Sequence, residues 1–505
     1  MSKVIAPANQ KQFFGHPAGL FVLFFTEMWE RFSYYGMRAL LTLYMVSYLI
    51  KDPEKANAVF GFDTLRHLLE TGFGPLETQP LASQLYGLYT GFVYLSPFFG
   101  GILADKVWGP KKTVYVGGVL MAIGHFLMAI ESMFLLALFF LILGNGAFKP
   151  NISTQVGNLY EHGDERRDGA FTIFYMGINL GAFFSPLICG TLGQVYGWHY
   201  GFGAAGIGML IGLCVYHFGR NYLPHDKHEE NAAKGLPSES KGTFFAVKTI
   251  LGFFGVAAMF FVILVLPAVL KLVIAAAIIV SVVVAVKKLD PEDRGRVSAL
   301  IYLCMATIMF WAIYEQQGNT LQLWADEKTD WTFFGLTVPS TWYQSFNPAM
   351  IFMFAPLLDM VWNARAKKGK TSSSIRKMGI GSILCGVAFI VMILAAKVVG
   401  EDVGVKGSLM WLVMTTWLFT MGELYLSPIG LSFVTKVAPE KMLSMMMGMW
   451  FLSSFFGNYL GGFLGSFYEK MPKDAFFLLL CGMGILVGVF FFAMEKSLKK
   501  HVGDV

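Results

Sequence analysis

The sequence predicts an all-α polytopic membrane protein of fourteen spans, and three observations carry that prediction. Of its 505 residues, 55% are hydrophobic and only 14% are charged. The apolar residues gather in runs near the length of about 20 residues that crosses a hydrocarbon core. With both termini assigned to the cytoplasm, about two thirds of the 39 lysines and arginines fall in cytoplasmic tails and loops, the asymmetry that orients helical membrane proteins.

Other classes are excluded by the same composition. The net charge of +6 is no nucleic-acid signal, because the basic residues lie in connections between spans. Five cysteines stand singly in apolar segments and read as small packing residues rather than disulfides or metal ligands. The N-terminal stretch is polar up to Pro17 and shows no cleavage site after a short apolar core, so no removed signal peptide is expected and the first span serves as its own insertion signal.

Taken in order, the apolar runs place spans at 18–49, 82–104, 112–131, 133–153, 169–193 and 200–219, then 244–265 and 267–286. After these come 297–319, 346–362, 376–397, 408–434, 442–467 and 475–494. Polar connections at 221–243 and 287–296 divide the chain into an N-terminal six-helix bundle (1–220), an inserted two-helix hairpin (244–286) and a C-terminal six-helix bundle (297–505). Lys248 and Lys271 of the hairpin lie near span ends, where their long stems can snorkel. The two sixes echo each other: Asp105-Lys106-Val107-Trp108 after the second span returns as Asp359-Met360-Val361-Trp362 after the second span of the later half. Internal repeats of this kind are how many transporters are built.

The first span carries Glu27, Glu30, Arg31 and Arg38, and each ionised group at that depth costs about 2.5–3.5 kcal/mol on insertion scales. At 100° per residue, Glu27, Arg31, Tyr34 and Arg38 share one helix face, with Glu30 beside it. Such a cluster faces protein or water, as a clasp that fixes packing or as a working site, and intramembrane ionisable groups mark function by default. The other charges at depth are Lys149 in span four, Glu315 in the first span of the later half and Glu423 in its fourth. Charges confined to spans one and four of each half describe one polar cavity lined by those four helices.

Several motifs then carry a resemblance. Gly100-Gly101-Ile102-Leu103-Ala104-Asp105, continuing through Lys112, resembles the loop signature of the major facilitator superfamily. Glu27-x-x-Glu30-Arg31-Phe32-x-Tyr34-Tyr35, Gly146-Ala147-Phe148-Lys149-Pro150-Asn151 and Phe174-Tyr175-Met176-Gly177-Ile178-Asn179 are similar to motifs of the proton-dependent oligopeptide transporters. So are Phe310-Trp311 with Glu315-Gln316-Gln317-Gly318, and Gly422-Glu423-x-x-x-Ser427-Pro428. The resemblance implies a major facilitator fold and a bacterial symporter of the inner membrane that imports di- and tripeptides with protons. It also implies an external gate between Arg38 and Glu315, and it places Ser427 at the peptide site.

The residues suggest the same chemistry. A short peptide is a zwitterion, so its site needs a cation, an anion and roomy walls. Arg38 and Lys149 can take the carboxylate, Glu423 the ammonium, and Asn179 and Asn347 the peptide backbone. Tyr34, Tyr35, Tyr89, Trp311 and Trp450 offer apolar walls with polar tips, though each alone also reads as core packing. Proton coupling needs a carboxylate poised between a low-dielectric surround and a nearby cation. Glu27 and Glu30 beside Arg31, within reach of Lys149, meet that need, and protonating them would free Lys149 for the peptide carboxylate. A symporter of another small anion such as nitrate is the alternative, but nitrate has no ammonium group for Glu423.

Other patterns lead nowhere. Gly201-Phe202-Gly203-Ala204-Ala205-Gly206 follows no strand and reads as helix packing. His125 and His217 are lone histidines on apolar spans and read as satisfied or interfacial. Without a nucleophile–base pair, an HExxH, paired cysteines or a phosphate-binding loop, the expectation is a non-enzymatic transporter that uses neither ATP, metal nor cofactor.

Overall fold

The computed structural model describes residues 11–161, 163–224, 241–333, 335–370, 372–402 and 404–502, so most of the expected 221–243 connection lies outside the described residues. Among the described residues are fourteen helices of at least 18 residues, matching the expected number of spans. Numbered in chain order they are α1 (Ala18–Tyr44), α2 (Thr78–Leu103), α3 (Pro110–Leu127), α4 (Phe134–Asn158), α5 (Arg166–Ser185), α6 (Trp198–Gly219) and α7 (Gly242–Val265). The rest are α8 (Ala268–Lys287), α9 (Pro291–Tyr314), α10 (Phe346–Lys367), α11 (Ser374–Val399), α12 (Met410–Val437), α13 (Leu443–Gly465) and α14 (Lys473–Val502). Ten are long and apolar enough to cross a membrane by length and composition alone.

Local chemistry fixes several helix ends. Pro110 and Pro291 sit in the first turns of α3 and α9, where a missing N–H costs nothing. Gly109, just before α3, has φ +77°, so the turn into that helix needs glycine. Ser373 caps α11 by accepting a hydrogen bond from the Arg376 N–H at 3.2 Å. Two features were invisible in the apolar pattern. The chain past α1, α2 and α5 continues in π-helical turns at Met45–Leu49, Ala104–Trp108 and Pro186–Gly190. Short helices at Pro53–Ala58 and Phe62–Phe73 also fill the connection between α1 and α2.

The chain forms two compact units. One holds Met1–Asp63 and Phe92–Met259, and the other holds Thr64–Gly91 and Phe260–Val505, so α2 and α7 each divide between them. In the first unit α1 packs on α5 and α6, while α3 packs on α4 and α6. In the second, α9 packs on α13 and α14, while α11 packs on α12 and α14. These are corresponding pairs, so the repeat hinted at by four residues of sequence is written in the packing of both halves.

Matching glycines hold the matching helices close. A Cβ on Gly117 of α3 would sit 2.7 Å from the Gly144 carbonyl of α4, and a Cβ on Gly381 of α11 would sit 2.6 Å from the Gly422 carbonyl of α12. Prolines inside helices repeat as well: Pro97 and Pro150 lie in α2 and α4, Pro356 and Pro428 in α10 and α12. Each breaks the backbone ladder of a helix, which transmembrane packing tolerates where neighbours re-satisfy the freed groups.

Candidate functional site

In the first unit the site residues gather around Arg31 on α1. Glu27, Glu30 and Arg31 are 2%, 0% and 3% exposed, which for three charged side chains requires mutual pairing. Arg31 Nε stands 3.2 Å from Oε1 of Glu27, one turn away. The same guanidinium donates to both oxygens of Glu30: Nε to Oε2, and a terminal nitrogen to Oε1 at 2.7 Å. The Glu27 pairing follows from helical spacing. The fork onto Glu30 does not, because adjacent residues on a helix diverge, and only the reach of arginine closes the gap. Oε2 of Glu27 is buried without a hydrogen-bond partner among the described residues.

Aromatic rings continue this cluster along α1. The Arg31 guanidinium lies 5.2 Å from the Tyr34 ring centre and the Arg38 guanidinium 6.0 Å from that of Tyr35. The two tyrosines meet edge to face at 5.3 Å. Lys149, one residue before Pro150 on α4, holds its ammonium 4.8 Å from the Tyr94 ring of α2, and its charge acts on Glu27. Tyr94 escaped the sequence reading, since a tyrosine in an apolar run is indistinguishable from packing. Asn179 on α5 is buried, and its amide donates to the Tyr175 carbonyl one turn back at 3.0 Å.

In the second unit the centre is Glu423 on α12. Its Oε2 accepts from the Tyr314 hydroxyl of α9 at 2.5 Å and from the Asn347 amide of α10 at 3.0 Å. Asn347 also donates to the Thr420 hydroxyl, one turn before Glu423. Three helices therefore fix one carboxylate, and Gly422 beside it lets α12 approach α11. The expected Asn347 is here, while Tyr314 and Thr420 are additions. Trp311 stacks edge to face on both Phe310 and Tyr314, and its indole N–H is buried with no partner among the described residues. Trp450 on α13 is buried with its ring over Gly430 of α12. Glu315 and Tyr89 are buried, and Ser427 is half-buried.

One minor expectation fails. His125 of α3 is fully buried and neither ring nitrogen has a partner among the described residues, so it is no satisfied histidine. Close helix packing simply encloses the imidazole. His217 lies among the rings of Tyr115 and Phe218, as an interfacial residue can. Among the described residues no group of histidine, cysteine or carboxylate side chains could hold a metal ion.

Fourteen long helices in a repeated packing, with charges buried inside them, define a multi-pass membrane protein. A model of the POT family matches residues 111–479. The chain is 37% identical over 517 residues to the uncharacterized transporter YclF of Bacillus subtilis (strain 168), covering 99% of this chain and 98% of that one. It is 34% identical to a di-/tripeptide transporter of Lactococcus lactis subsp. cremoris, over 98% and 99% of the two chains. A crystal structure of a peptide transporter POT in complex with alafosfalin superimposes with a TM-score of 0.79 at 34% identity, over 98% and 97% of the chains. The chain belongs to the POT family, and it is a multi-pass membrane transporter rather than an enzyme.

Proposed function

We propose that the protein is a proton-coupled symporter that imports di- and tripeptides across the bacterial inner membrane, with both termini cytoplasmic. The observation that carries this reading is a carboxylate held at the centre of each unit, with a different set of partners in each. Glu27 and Glu30 share one guanidinium, while Glu423 is held by a phenol and an amide. A cation-clamped pair suits protons. A carboxylate fixed by neutral donors keeps its charge for an ammonium group. The relatives named as di-/tripeptide transporters support peptides as cargo.

In this reading the unpartnered Oε2 of Glu27 is the atom that takes the proton. Its protonation weakens the hold on Arg31 and on Lys149, and Lys149 with Arg38 then takes the peptide carboxylate. Glu423 takes the peptide ammonium and Asn179 and Asn347 its amide groups. Tyr34, Tyr35, Tyr89, Trp311, Ser427 and Trp450 line the space for side chains, with the Trp311 N–H available to a carbonyl. Arg38 and Glu315 form the external gate, and loss of the proton inside restores the clasp. The two six-helix bundles rock in alternating access, with 244–286 as an inserted hairpin between linkers 221–243 and 287–296. The proton gradient alone drives the cycle, without cofactor or ATP.

The test is uptake of labelled dialanine into liposomes holding only this protein, with an imposed proton gradient and with nitrate as the rival solute. Dialanine accumulation that collapses with the gradient supports the reading. Nitrate accumulation without dialanine transport overturns it in favour of an anion symporter.

A further inference from the structure

The echo Asp359-Met360-Val361-Trp362 ends in a feature that peptide transport leaves unused. Where α10 finishes and α11 begins, the second unit has a surface pocket of about 270 Å³ lined by Asp359, Trp362, Arg365, Lys370, Ser372 and Lys377. Three of these are cations and one is an anion. The anion, Asp359, accepts a hydrogen bond from Asn363 at 3.0 Å. Among the described residues none of the three cations has an ion-pair partner. The Lys377 ammonium sits 4.4 Å from the Trp362 ring centre, and that ring is held edge-on by Tyr425 of α12 at 5.2 Å. Lys436 adds a further positive charge acting on Lys377.

A loop that served only to orient the chain would need positive charge, but no concave site and no ring to aim a lysine. Convergent ammonium and guanidinium groups with a serine hydroxyl are the donor set of a phosphate group, which arginine can grip through two N–H bonds at once. The surroundings choose the source. Leu357, Met360 and Val361, on the last turns of α10 leading to the pocket, are 54%, 67% and 51% exposed. Apolar surface running up to a basic pocket at a span end fits a molecule with acyl chains below its phosphate. Basic pockets between helices on the cytoplasmic side are where anionic headgroups bind.

We propose that this pocket binds the phosphate headgroup of an anionic phospholipid of the cytoplasmic leaflet, with an acyl chain lying along Leu357 and Val361. The leaflet rests on the orientation proposed above, whereas the binding itself does not depend on transport.

The test places the full-length protein in phosphatidylcholine nanodiscs containing a minority of phosphatidylglycerol and counts retained lipids by native mass spectrometry. The wild type is expected to retain phosphatidylglycerol over phosphatidylcholine. Arg365→Gln, Lys370→Gln and Lys377→Gln should each lower that retention about five-fold, and the triple variant should abolish the preference. Dialanine uptake by the triple variant in pure phosphatidylcholine should match wild type, showing an intact fold. If the triple variant does not fold, the three single variants carry the test. Unchanged retention in the variants overturns the proposal. So does displacement of phosphatidylglycerol by millimolar inorganic phosphate, which would make this a site for the soluble ion. Retention is read without transport, so failure here and failure of the symporter reading give different results.

Discussion

The Tyr314 hydroxyl of α9 donates a hydrogen bond to Oε2 of Glu423 on α12, 2.5 Å away, and the Asn347 amide of α10 donates to the same oxygen. A carboxylate anchored at one oxygen by two neutral donors keeps a fixed direction. Hydrogen bonds to a charged group are worth about 1.5–3 kcal/mol. Tyr314→Phe should therefore raise the KM for dialanine about ten-fold or more, with a smaller effect on an N-acetylated dipeptide. Glu423→Gln should cost free-amine peptides more again, while N-acetylated ones lose little. Competition assays in proteoliposomes measure both, and equal losses for the two peptide classes would remove Glu423 from the ammonium site.

The clasp on α1 makes a separate prediction about coupling. Glu27→Gln keeps an acceptor for Arg31 but removes the group that takes the proton, so peptide exchange between equal pools should persist while gradient-driven accumulation is lost. Glu30→Ala leaves a buried guanidinium less well paired, a change that typically costs about 3–5 kcal/mol, and the thermal midpoint in detergent should drop clearly. Paired counterflow and uptake measurements separate the two effects.

Lys149→Ala should abolish proton-driven uptake. Its ammonium lies against the Tyr94 ring, and its charge acts on Glu27. Lys149→Arg keeps the charge on a bulkier head and should retain part of the activity. Uptake at wild-type rate by the alanine variant would disprove the coupling scheme.

Gly422 supports Glu423 through packing. A Cβ there would lie 2.6 Å from Sγ of Cys385 and 2.7 Å from the Gly381 carbonyl, closer than packing allows. Gly422→Ala should force α12 off α11 at a cost of about 1–3 kcal/mol, lowering the thermal midpoint by several degrees. Peptide affinity should fall with it, because Glu423 is the next residue.

A pH prediction follows from the loop before α5. The Arg166 guanidinium, bonded to Asp164 at 2.7 Å, holds that carboxyl down at about 2, below its usual 3.8. A depressed carboxylate stabilises the folded loop fully above about pH 4 and loses that contribution as pH falls through about 2. Asp164 is therefore ionised throughout pH 5 to 8. Asp164→Asn should leave the pH profile of uptake between pH 5 and 8 unchanged, and a shifted profile would place this loop in the proton path.

Much of this architecture is legible in the residues. Apolar run length marked the fourteen long helices, because only a helix satisfies its backbone across lipid, and the cost of burying charge made Glu27, Glu30, Arg31, Lys149, Glu315 and Glu423 conspicuous. Neutral partners stayed hidden. Tyr94, Tyr314 and Thr420 sit in apolar helices where nothing in the sequence distinguishes a hydrogen-bonding hydroxyl from a packed ring or methyl group. The π-helical turns after α1, α2 and α5 were equally hidden, since apolar periodicity tolerates an extra residue. Glu30 looked like a neighbour of the charged face, and only the length of the Arg31 side chain made it a partner.

The most direct test of the coupled-site account is internal pH in dye-loaded liposomes after dialanine is added outside, with no pre-formed gradient. The account predicts internal acidification with wild-type protein, none with Glu27→Gln, and none when nitrate replaces dialanine. Dialanine entry without any acidification by the wild type would contradict it.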